Sequence, residues 1–269
     1  MRRLMLALAG LAGCLMAQAG SAAPESAQTA AHTAAHTAAQ ANDQATTPLT
    51  RFAAVAPVQV PHTLAQRLQP CMACHGPQGR ASRSGYLPRI AGKPAGYLFN
   101  QLVNFRDGRR SNTAMAGFLA HQSDDYLRDM AGYFAALDLP YAAAPPSTAS
   151  PALLARGQRL VQHGDASRRL PACTACHGLD LAGALPATPG LLGLPQDYLI
   201  AQLGGWLTGS RRTTAPDCMA EISRRLSAAD VSAVATWLAA QPVPTPAHPE
   251  PGAPRPAPLP CGSLGDLPR

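Results

Sequence analysis

Aromatic side chains are scarce in this chain, at 5% of its 269 residues, and charged ones reach only 14%. So little aromatic volume argues against one large core of the ordinary kind, and the length admits two small domains instead. No stretch alternates apolar and polar residues as a half-buried strand does, which removes sandwiches and barrels. The serines and histidines are scattered without the spacing of a known nucleophile motif, and no acid–base arrangement stands out. The apolar run from Leu4 to Ala17 is too short, and too rich in small residues, to span a bilayer. It follows Arg2 and Arg3 and precedes Ser21-Ala22-Ala23, the order of an export leader over residues 1–23, cleaved before Pro24. Leu11-Ala12-Gly13-Cys14 offers a second reading, with Cys14 acylated as a lipid anchor, but the apolar run continues through Leu15 and Met16 and favours ordinary cleavage. Either way the chain works outside the cytoplasm, in the periplasm.

Against these absences stands one motif, Cys-x-x-Cys-His, present twice: Cys71-Met72-Ala73-Cys74-His75 and Cys173-Thr174-Ala175-Cys176-His177. In it the two thiols form thioethers with the vinyl groups of a haem, and the histidine is placed to ligate the iron. A thioredoxin-like pair, or half of a zinc site, would account for either Cys-x-x-Cys alone. A zinc ribbon sets its pairs much closer together, and neither reading explains a histidine directly after both second cysteines. Two covalent haems c are expected, and their flat apolar faces supply the volume that aromatic residues do not.

The chain around the motifs is duplicated. Pro88, Gly92, Pro94, Tyr97, Leu98, Gln101, Leu102, Phe105, Gly108 and Arg110 recur as Pro189, Gly193, Pro195, Tyr198, Leu199, Gln202, Leu203, Trp206, Gly209 and Arg211, at a constant offset of 101 residues. A slip of three then pairs Met115 with Met219 and Ser123 with Ser227. Tyr-Leu-x-x-Gln-Leu-x-x-(Phe/Trp) has helical spacing, as do Tyr126, Leu127, Met130, Tyr133, Phe134 and Leu137. Each unit therefore reads as a helix before the motif, a loop, a helix around 95–107, a ligand loop, and a last helix capped by Ser123 or Ser227. The predicted fold is all-α, a tandem pair of domains each wrapped round a haem.

The boundaries follow composition. Residues 24–57 are an Ala/Thr-rich tether of low complexity, expected to be disordered, whose His32 and His36 are incidental to the biased tract. Residues 58–140 form the first domain, 141–150 a linker around Pro145-Pro146, 151–241 the second domain, and 242–269 an extended tail too dense in proline for a helix.

His75 and His177 supply one axial ligand each. For the other, Met219 is the only methionine after the second motif, and Met115 is its repeat partner. Met72 lies inside the attachment loop, and Met130 falls on the apolar stripe of a helix and reads as core. His121 rivals Met115 in the first unit but has only Arg225 as its counterpart. His/Met ligation saturates the iron and raises its potential. Seven cysteines are present; four serve the haems and Cys14 is cleaved off or lipidated, leaving Cys218 and Cys261. An even remainder in an oxidising compartment favours a disulfide.

With these residues in place the chain resembles the dihaem cytochrome c4 family. The likeness runs from about residue 60 to 240: Cys-x-x-Cys-His, then Pro-Arg-Ile-Ala-Gly-Lys-Pro-x-x-Tyr-Leu-x-x-Gln-Leu-x-x-Phe-Arg-x-Gly-x-Arg, then the ligand Met, and the same order again. It implies two class I cytochrome c domains about an approximate twofold, with haem propionates meeting near the interface. Pro88 and Pro189 match the proline whose carbonyl accepts a bond from the proximal histidine. The implied role is periplasmic transfer of single electrons to redox partners, commonly towards a membrane haem-copper terminal oxidase, by a carrier and not an enzyme. The tether, the cysteine-bearing tail and Cys218 beside Met219 depart from the family. A Cys218 thiolate ligand would instead resemble dihaem thiosulfate dehydrogenases, so a thiosulfate-oxidising cytochrome, or the cytochrome subunit of a periplasmic dehydrogenase, is the competing function. The formal charge is +7. An exported protein does not meet nucleic acid, so that charge points to acidic partners or peripheral contact with anionic headgroups. Arg106, Arg109, Arg110, Arg211 and Arg212 read as solvated charge, or as partners of propionates or of an acidic protein.

Overall fold

Residues 62–82, 85–252 and 257–264 are described in a computed structural model of the chain. The leader 1–23 with Cys14, and the tether 24–57 with His32 and His36, lie outside the described residues.

Side-chain caps decide where the helices begin. Thr63 and Gln66 form a reciprocal box at the start of α1 (Leu64–Arg67), and Pro70 sits in the first turn of α2 (Gln69–His75), where no backbone donor is needed. Ser123 accepts from Tyr126 N to open α5 (Asp124–Ala135), with Asp124 and Asp125 favourably placed on the helix N-terminus. In the second repeat Ser150 caps α6 (Pro151–His163), and Ser227 with Asp230 boxes the start of α10 (Ala228–Ala240). Between these lie α3 (Ala95–Arg106) and its repeat α8 (Gln196–Thr208), and the short attachment helix α7 (Thr174–His177).

Each repeat has its own apolar core. Leu68, Leu98, Phe99, Phe105, Leu127, Met130 and Phe134 close the first, where α3 packs on α5. Leu160, Val161, Leu181, Leu199, Val234, Trp237 and Leu238 close the second, where α10 packs on α6 and α8. Gly157 lets α6 and α10 cross closely: a Cβ there would lie 2.2 Å from the Ala233 carbonyl oxygen.

Two sequence expectations need correction and a third is extended. The ligand segments are not loops, because α4 (Thr113–Leu119) carries Met115 and α9 (Cys218–Arg224) carries Met219. Both helices are too short to show a period, yet each is nucleated by a cap, Asn112 on Met115 N at 3.0 Å and Asp217 on Ala220 N at 3.0 Å. A strand pair does exist, β1 (Gly183–Ala184) antiparallel to β2 (Thr188–Pro189), but two residues a side leave no alternation to read. The tail, finally, is held by backbone bonds in addition to the expected disulfide. Glu250 N donates to Gly183 O and Glu250 O accepts from Leu185 N, so the tail runs beside β1 as a parallel bridge. Further on Cys261 is joined to Cys218 by a disulfide, a short 3-10 turn covers Gly262–Leu264, and Asn100 of α3 donates to the Ser263 carbonyl at 3.0 Å. Missing proline N–H groups prevent a helix but not single ladder bonds.

Candidate haem sites

Each attachment motif ends a helix on its histidine. His75 closes α2 and His177 closes α7, and in both the ring Nδ1 donates to a proline carbonyl, Pro88 O at 2.9 Å and Pro189 O at 2.8 Å. A carbonyl only accepts, so Nδ1 carries the proton and Nε2 keeps the lone pair a metal requires. Burial pushes both imidazoles below their ordinary pKa against the raising effect of the proline bond, with Arg110 adding to the fall at His75 and Lys93 at His177. The rings are held neutral and aimed.

None of the four motif cysteines is in a disulfide. Burial raises the Cys71 and Cys176 thiols and pushes Cys173 up to about 12. That is the opposite of the lowered pKa of a thioredoxin-like nucleophile. Among the described residues no group of three or more His, Cys, Asp or Glu is arranged to hold a metal ion, which leaves no zinc site of that kind. Two cysteines on a helix that ends in a histidine with Nε2 free for a metal fit covalent haem attachment.

Polar groups without partners make the same fit. Trp206 Nε1 and Thr188 Oγ1 are buried and have no hydrogen-bond partner among the described residues. Trp206 lies under the Arg211 guanidinium at 3.9 Å, and its repeat partner Phe105 lies under Arg110 at 4.4 Å. The two arginines meet where the repeats touch. Arg110 donates to Gln101 Oε1 at 2.9 Å and across to Gln202 Oε1 at 2.6 Å; Arg211 donates to Gln202 Oε1 at 2.7 Å and across to Gln101 Oε1 at 3.1 Å. Ser111 N to Ser210 O and Arg212 N to Arg109 O complete a nearly twofold seam. Burial, and then the like charge of Arg110, pull the Arg211 pKa down. Burial raises the Tyr97 phenol, whereas at Tyr198 the charges of Arg110 and Arg211 outweigh burial and hold the phenol below its ordinary value. Among the described residues neither guanidinium meets a carboxylate, and a buried Arg211 beside a half-buried Arg110, with only neutral partners, is costly. A haem propionate would be an anion of the kind these guanidiniums lack.

The distal candidates are placed unequally. Met115 is half-buried and packs on the same apolar cluster as Cys71. Met219 is half-buried in the first turn of α9 and is not among the side chains packed on the second core, whereas Cys173 is. Met130 belongs to the first core and His121 is exposed. Cys218, held in its disulfide, has no thiolate to offer. Arg106 pairs with Asp107 and Asp124, and Arg109 with Asp107, so these two are committed within their own repeat. Sequence reasoning named Arg110 and Arg211 as candidate partners of propionates but passed over Gln101 and Gln202, which tie them together. Their signal was present, since both pairs recur at the repeat offset.

No family profile matches the chain. Its relatives include the thiosulfate dehydrogenase electron acceptor of Thiomonas intermedia (strain K12), 38% identical over 173 residues that span 64% of this chain and 79% of the relative. The cytochrome c4 of Pseudomonas aeruginosa is 32% identical over 170 residues, 62% of this chain and 82% of the relative. Among solved structures, reduced cytochrome c4 from Pseudomonas stutzeri superposes with a TM-score of 0.57 at 30% identity, covering 65% of this chain and 95% of that one. Among the described residues no helix is long and apolar enough to cross a membrane. The paired His–Pro geometry, the twofold seam and these likenesses agree: the chain belongs to the dihaem cytochrome c4 family of periplasmic c-type cytochromes, and it is an electron carrier with covalently bound haem c.

Proposed function

We propose that the chain holds two haems, one in each of domains 58–140 and 151–241, and passes single electrons in the periplasm between a respiratory donor and a membrane acceptor such as a haem-copper oxidase. Cys71 and Cys74, and Cys173 and Cys176, provide the thioethers; His75 with Met115, and His177 with Met219, provide the axial ligands. The observation that carries this is the repeated bond of His75 to Pro88 and of His177 to Pro189, at 2.9 and 2.8 Å, each at the end of a helix bearing the two thiols. Bound haem c supplies the one-electron iron couple. The protein's own share is ligation, burial and orientation. Pro88 and Pro189 hold the imidazole planes, Trp206, Arg110 and Arg211 neutralise and tie propionates, and the short caps at Asn112 and Asp217 fix the helices that present the methionines. The leader 1–23 delivers the chain, and the disulfide of Cys218 with Cys261 keeps a competing sulfur from the second iron.

Substitution tests the ligand set. Met115→Ala and Met219→Ala are each expected to open one iron to carbon monoxide and abolish half of the far-red Met–iron band. A Met115→Ala protein with an unchanged spectrum would return His121 to candidacy. A second reading concerns the donor. Two relatives, 38% and 37% identical, carry the name thiosulfate dehydrogenase electron acceptor, while the cytochrome c4 relatives are 30–32% identical. This supports a thiosulfate-oxidising enzyme as the source of electrons; reduction of the purified holoprotein by such an enzyme with thiosulfate is the test, and no reduction would exclude that donor.

A further inference from the structure

Lys93 is the chain's only lysine, and at 4% exposure it is buried. It belongs to the first repeat, just ahead of α3, yet its Nζ donates to the Gly190 carbonyl of the second repeat at 3.1 Å. Gly190 follows Pro189, whose carbonyl holds His177. The Tyr141 ring lies 5.8 Å from Nζ, and among the described residues no carboxylate pairs with it. At the repeat offset Lys93 is matched by Leu194, so the second repeat offers the first no such cation. The anchor of this cation, Gly190 O, is thus one residue from the carbonyl that holds the proximal His177. A leucine would fill such a position without the cost of burying an unneutralised charge.

An iron that takes up one electron becomes less positive, and a fixed cation nearby favours that state. The effect is long-ranged where water is excluded: unit charges about 10 Å apart, at an effective dielectric of about 20, shift an equilibrium constant by on the order of tenfold. We propose that Lys93 is a positioning residue for the second haem: its ammonium, anchored on Gly190 O, stabilises the reduced state at His177 and makes that site's potential depend on the packing of one repeat against the other. With a haem held by His177, uptake of one electron would take its iron from ferric to ferrous, and the Lys93 charge would favour that reduced state. The inference rests on His177 and Met219 ligating a second haem.

Potentiometric titration of the holoprotein tests it. Met219→His replaces the thioether by an imidazole and lowers the wave of the second haem, which assigns that wave. Lys93→Gln keeps a donor for Gly190 O and removes the charge; it is expected to lower the same wave by a roughly tenfold change in electron affinity, about 59 mV for a one-electron couple, with a much smaller move of the other. Lys93→Arg should restore the native value. If Lys93→Gln does not fold with both haems, Lys93→Met gives the same readout. The Lys93 proposal is overturned if the charge-free variants leave the assigned wave in place or move both waves alike. If Met219→His displaces neither wave, the ligand assignment itself is overturned, and the proposal falls with it.

Discussion

Asp230 shows how much one carboxylate holds together in the second repeat. Its side chain is 1% exposed and takes Arg168 at 2.6 Å, Arg156 at 2.7 Å and the Ser227 hydroxyl at 2.8 Å. Burial alone would raise its pKa; the two guanidiniums and Ser227 outweigh it and hold the group well below the carboxylate range. A depressed folded pKa gives stability that is complete above the ordinary value of 3.8 and is lost as pH falls below it towards the folded value. Asp230→Asn should therefore cost about 2 kcal/mol at neutral pH, since both arginines are partly solvated, and should flatten the acid limb of the stability profile. Urea unfolding at pH 7 and pH 3 measures both. The residues fixed by covalent chemistry were the easiest to read, because Cys-x-x-Cys-His tolerates no change of spacing. Arg110, Arg211 and Lys93 were not, because an arginine or lysine in a sequence looks the same whether it is solvated or buried, and only the fold brings Gln202 to Arg110 or Gly190 to Lys93.

Helices of twelve or thirteen residues were legible, α3 and α5 from their apolar spacing, and α5 and α10 from their serine caps. The seven-residue α4 and α9 were not, since two turns show no period and Pro216 ahead of α9 reads as a loop signal. Their stability rests on Asn112 and Asp217. Asp217 binds both Thr213 N at 2.9 Å and Ala220 N at 3.0 Å, so Asp217→Ala should cost about 1 kcal/mol and loosen the helix that carries Met219. The far-red band followed on heating should fade at a lower temperature than in the native protein; an unchanged profile would mean that α9 is held by the disulfide alone. The crossing of α6 and α10 is stricter. Gly157→Ala drives a methyl group into the backbone at Ala233 and should cost about 3 kcal/mol, read as a lowered urea midpoint with the slope unchanged.

Across the whole molecule, duplication sets the plan and its exceptions set the behaviour. The two repeats meet at a seam whose bonds nearly repeat across it, Arg110 with Gln202 and Arg211 with Gln101, while Lys93 and the tail obey no symmetry. The tail touches β1 and α3, which its proline content concealed, and α9 through the expected disulfide. Its disulfide closes a sequence separation of 43 residues, worth up to about 4 kcal/mol by loop entropy. Cys261→Ser should lose part of that, and thiol labelling of the unreduced native protein should find neither Cys218 nor Cys261 reactive. The two haem attachments are tested most directly by the intact mass of the denatured, acid–acetone-extracted chain. Two haem increments per polypeptide are predicted, and they should fall to one in a Cys173→Ala, Cys176→Ala variant. A native chain with one increment, or none, would contradict the two-haem carrier.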